Sequence, residues 1–174
     1  MHKQSSDNIV LIGMPGVGKS TIGVMLAKIL ARDFVDTDVV IQSKENRSLQ
    51  QIMSEEGRDR FCDIEERHVL DLHCTGSVIA TGGSVVYSNA AMEHLAREGV
   101  IVHMDAPFEL VQKRVQNVGE RGVAIMPGQT LESLYAERQP LYRRWADLTV
   151  PTSDKTHSQV IDGILNALNL DTED

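Results

Sequence analysis

Gly13-Met-Pro-Gly-Val-Gly-Lys-Ser20 matches the pattern G-x-x-x-x-G-K-[ST], a spacing whose chemistry is polyphosphate binding. Gly13, Gly16 and Gly18 permit backbone angles and close approach that a Cβ would hinder, so successive N–H groups, that of Val17 among them, can turn toward one anion. Lys19 is expected to reach the β- and γ-phosphates and the Ser20 hydroxyl to ligate Mg2+. Thr21 extends the same helix N-terminus, where its hydroxyl and N–H can meet the α-phosphate. These residues predict an ATP site with Mg2+, but such a loop alone does not separate a kinase from a hydrolase.

Asp36-Thr37-Asp38 could hold the acceptor side. One carboxylate would hold Mg2+ through water while the other accepts a proton from an attacking hydroxyl. The same triplet also reads as a helix N-cap beside a solvated acid. Its place, at the end of a strand candidate and after the phosphate-loop helix, favours the first reading, because ligands bind at the carboxyl ends of strands in an open α/β sheet.

The elements that position these residues follow from periodicity. Residues 8–13 (NIVLIG) form a short apolar, β-branched run suited to a buried parallel strand. In 20–31, Ile22, Met25, Leu26, Ile29 and Leu30 recur at helical spacing. Further strands are expected at 33–36, 77–81, 100–104 and 147–150, and helices at 49–55, 58–73, 89–98, 107–118, 130–145 and 157–168. Ser48 and Gln51 have the form of a capping box, and Pro107 suits a first helical turn. Strands alternating with helices predict an α/β fold, a parallel sheet covered on both faces. The least regular stretch is 117–129.

A chain of 174 residues is expected to form one domain. With 25 acidic and 17 basic residues the net charge is -8, which repels nucleic acid and anionic membranes; a small-molecule substrate is expected instead. Cys62 and Cys74 lack C-x-x-C spacing and fit a reduced compartment. The opening residues lack the apolar run of a signal peptide, and no stretch approaches the roughly 18 to 20 apolar residues of a membrane span, so a cytoplasmic protein, taken as a monomer, is expected. His68 and His73 are off the spacing that puts two metal ligands on one helical face and read as packing or surface residues.

The loop with Ser20-Thr21, Phe34-Val-Asp36-Thr-Asp38, Gly57 with Phe61 and Glu65, Ala80-Thr-Gly82-Gly83, Arg114, Arg121, Arg138-Gln-Pro-Leu-Tyr142 and Ala146 form an ordered set. As a set it resembles the shikimate kinase family over nearly the whole chain. The resemblance implies a three-layer P-loop fold like that of nucleoside monophosphate kinases, with a five-stranded parallel sheet, an acceptor-binding segment at about 36–65 and a mobile lid at about 117–129. It implies phosphorylation of shikimate by ATP to shikimate 3-phosphate, a step of aromatic amino-acid biosynthesis. Carried over, Asp38 is the acid that binds the acceptor hydroxyls and the candidate base, and Asp36 is the magnesium-side acid. Gly82 and Gly83 are backbone donors to the acceptor, Arg138 binds its carboxylate, Arg121 closes over the phosphates and Arg114 stacks on adenine. An arginine fork suits planar carboxylates and phosphates.

Three positions depart from the family pattern. Cys62 stands where the family has a second carboxylate-binding arginine, Ser84 follows Gly82-Gly83 in place of a third glycine, and the lid stretch reads Arg121-Gly122-Val-Ala. A thiol does not replace a bidentate cation, so carboxylate affinity is expected to fall by about 1.5 to 3 kcal/mol without compensation. Arg58, one helical turn before Cys62, could share its face and compensate, while Arg60, two residues before it, points elsewhere; both read first as a solvated helix face. The acceptor is then shikimate or another small hydroxy acid, such as homoserine or a sugar acid. The alternative from a different class is a P-loop regulatory ATPase, against which Asp38, Arg121 and Arg138 argue, since a switch needs no acceptor-side acid and arginines.

Overall fold

The computed structural model describes residues 7–118 and 128–170. Strand β1 (Asn8–Ile12) is buried along its whole length, as its unbroken apolar run requires of a central parallel strand. It is joined by β2 (Phe34–Asp36), β3 (Val78–Ala80), β4 (Gly99–Asp105) and β5 (Leu148–Pro151). The strands pair in the order β2-β3-β1-β4-β5, every pairing parallel. Helices α1 (Lys19–Ile29), α2 (Thr37–Glu45), α3 (Leu49–Leu70), α4 (Asn89–Glu98), α5 (Phe108–Val118), α6 (Leu131–Trp145) and α7 (His157–Leu168) cover both faces. The chain runs from β1 out to the edge, returns to β3, then crosses β1 to β4. That reversal leaves a crevice at the carboxyl end of β1, where the glycine loop lies.

The main core gathers Val10, Leu11, Leu26, Ile79, Met92, Ile101 and Met104. A second, smaller cluster of Ile41, Ile52, Phe61 and Ile64 clamps α2 onto α3, which gives the acceptor segment its own packing. Reciprocal capping boxes start α3 at Ser48–Gln51, α6 at Thr130–Ser133 and α7 at Thr156–Gln159. Among the described residues no helix is long and apolar enough to cross a membrane.

Three local features differ from the periodicity reading. Helix α2 is absent from the periodicity reading, since its β-branched Thr37, Val39, Val40 and Ile41 favour strands, although a helix N-cap is one reading of the triplet. The Asp36 carboxylate starts it nonetheless, accepting from the Asp38 and Val39 amides. The two helices expected at 49–55 and 58–73 run together as α3, kinked where Gly57 takes φ 79° and ψ 176°, a conformation open to glycine. Pro107 sits just before α5, its carbonyl accepting the first helical bond from Val111.

Candidate active site

The glycine loop carries β1 into α1. Gly13 has φ 143°, and a Cβ there would stand 2.6 Å from the Met104 carbonyl oxygen, so this glycine lets the loop pack on β4. Gly18 caps α1 in the left-handed region at φ 99°, and a Cβ on it would meet nothing within 4 Å. It would project into the open hollow in front of the loop. Lys19 is only 8% exposed; its Nζ donates to the carbonyls of Gly13 at 2.8 Å and Met14 at 2.9 Å. Burial lowers its pKa to about 8, opposed chiefly by the nearby Asp38 carboxylate.

Ser20 Oγ donates to Asp36 Oδ2 at 2.6 Å, while Asp36 Oδ1 accepts from the Asp38 amide at 3.0 Å. Asp36 is therefore both the cap of α2 and the neighbour of Ser20. A hydroxyl and a carboxylate held together at the mouth of the loop are hard oxygen donors, which fit Mg2+, an ion that takes few protein ligands beside phosphate oxygens and water. Arg114, on α5, donates from Nη1 to the Val17 carbonyl at 3.2 Å. It borders a cavity of about 220 Å³ beside the loop, with Thr21, Thr152, Lys155 and His157. The last three escaped the sequence reading; their available signal is that they follow β5, at the same end of the sheet.

On the acceptor side, groups from separate elements converge on bare backbone. A Cβ on Gly82 would collide with Glu65 Oε1 and stand 2.8 Å from Asp38 Oδ1, and one on Gly83 would stand 2.9 Å from Arg138 Nη1. The Gly82 amide donates to Thr37 Oγ1 at 3.1 Å. Asp38 is half-buried, and burial, then the charge of Asp36, raises its pKa to about 6. Fully buried Glu65 is raised to about 7 by burial, against the stabilising bond from Ser84, whose Oγ donates to Glu65 Oε2 at 2.6 Å. Arg138 is 1% exposed and keeps Nη2 without a hydrogen-bond partner. Tyr142 supports this floor, donating to the Gly83 carbonyl at 2.7 Å and stacking on His103.

Cys62 is half-buried, and burial, then Glu65, pushes its thiol pKa up, so it stays protonated. The solvated-face reading fails for Arg58, whose side chain is 17% exposed and packs 4.5 Å from the centre of the Tyr87 ring. It fits Arg60, 54% exposed and paired with Glu56 and Asp63 along its own helix. Tyr87 and Glu137 had no signal in the sequence. Arg121 and Gly122 lie outside the described residues, as does most of the expected lid. His68 meets Glu45 Oε1 at 2.7 Å and ties α3 to α2.

The family model for shikimate kinase (SKI) matches residues 15–169. A shikimate kinase of Pasteurella multocida is 37% identical over 167 residues, covering 91% of this chain and 95% of its own. The structure of a shikimate kinase from Acinetobacter baumannii in complex with shikimate superposes with a TM-score of 0.86 at 31% identity, covering 94% of this chain and 93% of that one. That of a shikimate kinase from Aquifex aeolicus gives 0.80 at 32% identity, covering 93% and 96%.

Proposed function

The chain belongs to the shikimate kinase family and is an ATP- and Mg2+-dependent small-molecule kinase, and on that premise we propose how its residues move the γ-phosphoryl group of ATP onto a hydroxyl of shikimate, giving shikimate 3-phosphate. Arg138 holds the acceptor carboxylate through its Nη edge, where Nη2 has no hydrogen-bond partner. Asp38 binds the ring hydroxyls and takes the proton of the attacking one as the new P–O bond forms. A carboxylate raised to about 6 suits this, since it is ionised near neutral pH yet basic enough to accept. Lys19 exchanges the loop carbonyls for the β- and γ-phosphate oxygens and follows the charge of the transferring group.

Ser20 and Asp36 would hold Mg2+, which when bound would supply charge neutralisation to the polyphosphate. The amides of Gly16, Val17 and Gly18 and the Thr21 hydroxyl line the polyphosphate path, and Arg114 flanks the base in the adjoining cavity. Gly83 gives the acceptor a backbone approach beside Arg138. The whole chain acts as one domain, a cytoplasmic monomer with no nucleic-acid or membrane partner. The observation that carries this reading is the convergence of Asp38, Glu65 and Arg138 on Gly82-Gly83, beside the phosphate loop: an ATP switch has no use for such an acceptor floor.

The test supplies ATP, Mg2+ and, in turn, shikimate, homoserine and gluconate, with ADP release and the phosphate ester measured together. Shikimate is expected to be phosphorylated, with Asp38→Asn lowering kcat by about 10²- to 10⁴-fold. ADP release that ignores every acceptor would identify a regulatory ATPase, and turnover on another acid alone would replace shikimate.

A further inference from the structure

Tyr87 ends a single 3-10 turn, Val85–Tyr87, a few residues beyond Gly82-Gly83. Two guanidiniums pack on its ring: that of Arg58, 4.5 Å from the centroid, and that of Arg138, 5.2 Å away. Its hydroxyl accepts from Arg138 Nε at 3.1 Å and donates to Glu137 Oε1 at 2.6 Å. The same carboxylate oxygen accepts from Arg58 Nη2 at 3.1 Å. Arg58, Tyr87 and Glu137 thus close a ring of contacts across α3, the 3-10 turn and α6, and Arg138 joins it through Tyr87.

A guanidinium can present a fork to a carboxylate either side-on, through Nε and one Nη, or end-on, through both Nη groups. In Arg138 the side-on edge is engaged, because Nε donates to Tyr87. The end-on edge points the other way, with Nη1 beside Gly83 and Nη2 buried without a partner. A long, flexible side chain held in one plane before the ligand arrives loses less freedom on binding, and small misplacements of a binding group are costly. This matters more here than where two arginines share the task, since Cys62 contributes no cation.

We infer that Tyr87 and Glu137, backed by Arg58, are positioning residues that hold the Arg138 guanidinium end-on toward the acceptor carboxylate. The inference rests on the reading that Arg138 binds that carboxylate. Arg58 contributes by holding the Glu137 carboxylate and packing on Tyr87, so the helix that carries Cys62 still steadies the arginine that remains.

Tyr87→Phe keeps the ring and removes only the hydroxyl, so it is the first variant to measure, with KM and kcat determined for shikimate, for its methyl ester and for ATP. The expected result is a rise of about tenfold in KM for shikimate, with kcat within about twofold, KM for ATP unchanged and KM for the uncharged ester unchanged. Glu137→Gln, at a partly exposed position, is expected to shift shikimate KM the same way by a smaller factor, and supplies the answer if Tyr87→Phe does not fold. In an Arg138→Lys background, which lacks the Nε donor, Tyr87→Phe is expected to add nothing. Folded variants with unchanged shikimate KM, or an equal rise for ester and acid, would mean that the ring of contacts serves the fold alone. If Arg138→Lys itself leaves shikimate KM unmoved, the carboxylate reading beneath the inference fails, and the inference with it.

Discussion

On the nucleotide side one unbroken run, Gly13 to Thr21, provides loop, cation and hydroxyl; on the acceptor side Asp38 comes from α2, Glu65 from α3, Gly82-Gly83 from the end of β3 and Arg138 from α6. The first works mainly through backbone amides and a helix N-terminus, whose partial charges are set by geometry and need no titration. The second works through buried ionisable groups whose state depends on their neighbours: burial places Asp38 at about 6 and Glu65 at about 7. A phosphate cradle therefore keeps its chemistry as long as its loop keeps its shape. An acceptor floor would be retuned by a single exchange beside it, such as one at Cys62 or Ser84.

The comparison breaks most sharply at Lys19. Lys19→Met is expected to cut turnover by about 10²- to 10³-fold or more, because it removes the cation that follows the moving charge. Shikimate affinity, read by calorimetry, should stay close to that of the unaltered protein; loss of both would mean that the two halves are not separable. A pH profile of kcat/KM sharpens the distinction. Asp38, raised to about 6, is in its accepting form only above that pH, so the rate should fall about tenfold per unit below it. Lys19, lowered to about 8, loses its charge above that pH, so a second decline belongs on the alkaline side. A profile flat between pH 4.5 and 7 would remove Asp38 from the role of base.

The smallest expected effect tests the tunability of the acceptor floor. Cys62→Arg places a guanidinium beside Glu65 and is expected to lower shikimate KM by about tenfold, equivalent to about 1.4 kcal/mol, with KM for ATP unchanged. Cys62 is half-buried, and an unpaired buried charge destabilises a fold, so the melting temperature is measured first. In a folded variant, an unchanged or higher shikimate KM would mean that the pocket is shaped for a different acid.

Much of this was legible in the linear chain where the signal is local. The buried run of β1 and the capping box at Ser48 depend on residues within one or two turns of each other. Helix α2 was hidden because its β-branched residues speak for a strand, while the Asp36 cap and the Ile41–Phe61 cluster overrule them. The Gly82 contact was hidden for a similar reason: its amide meets Thr37, a residue 45 positions earlier, and no local rule reaches that far.

By itself, then, the sequence determined the glycine loop, the five strands, most of the helices and the family, because glycine conformations, helix periods and motif spacing are properties of neighbouring residues. Only the tertiary structure decided which charges meet. That Arg58 turns to Tyr87 while Arg60 stays on the surface, that Glu137 joins Arg58 to the same ring, and that Glu65 holds its proton to about pH 7 all depend on desolvation and through-space distance between residues far apart in the chain.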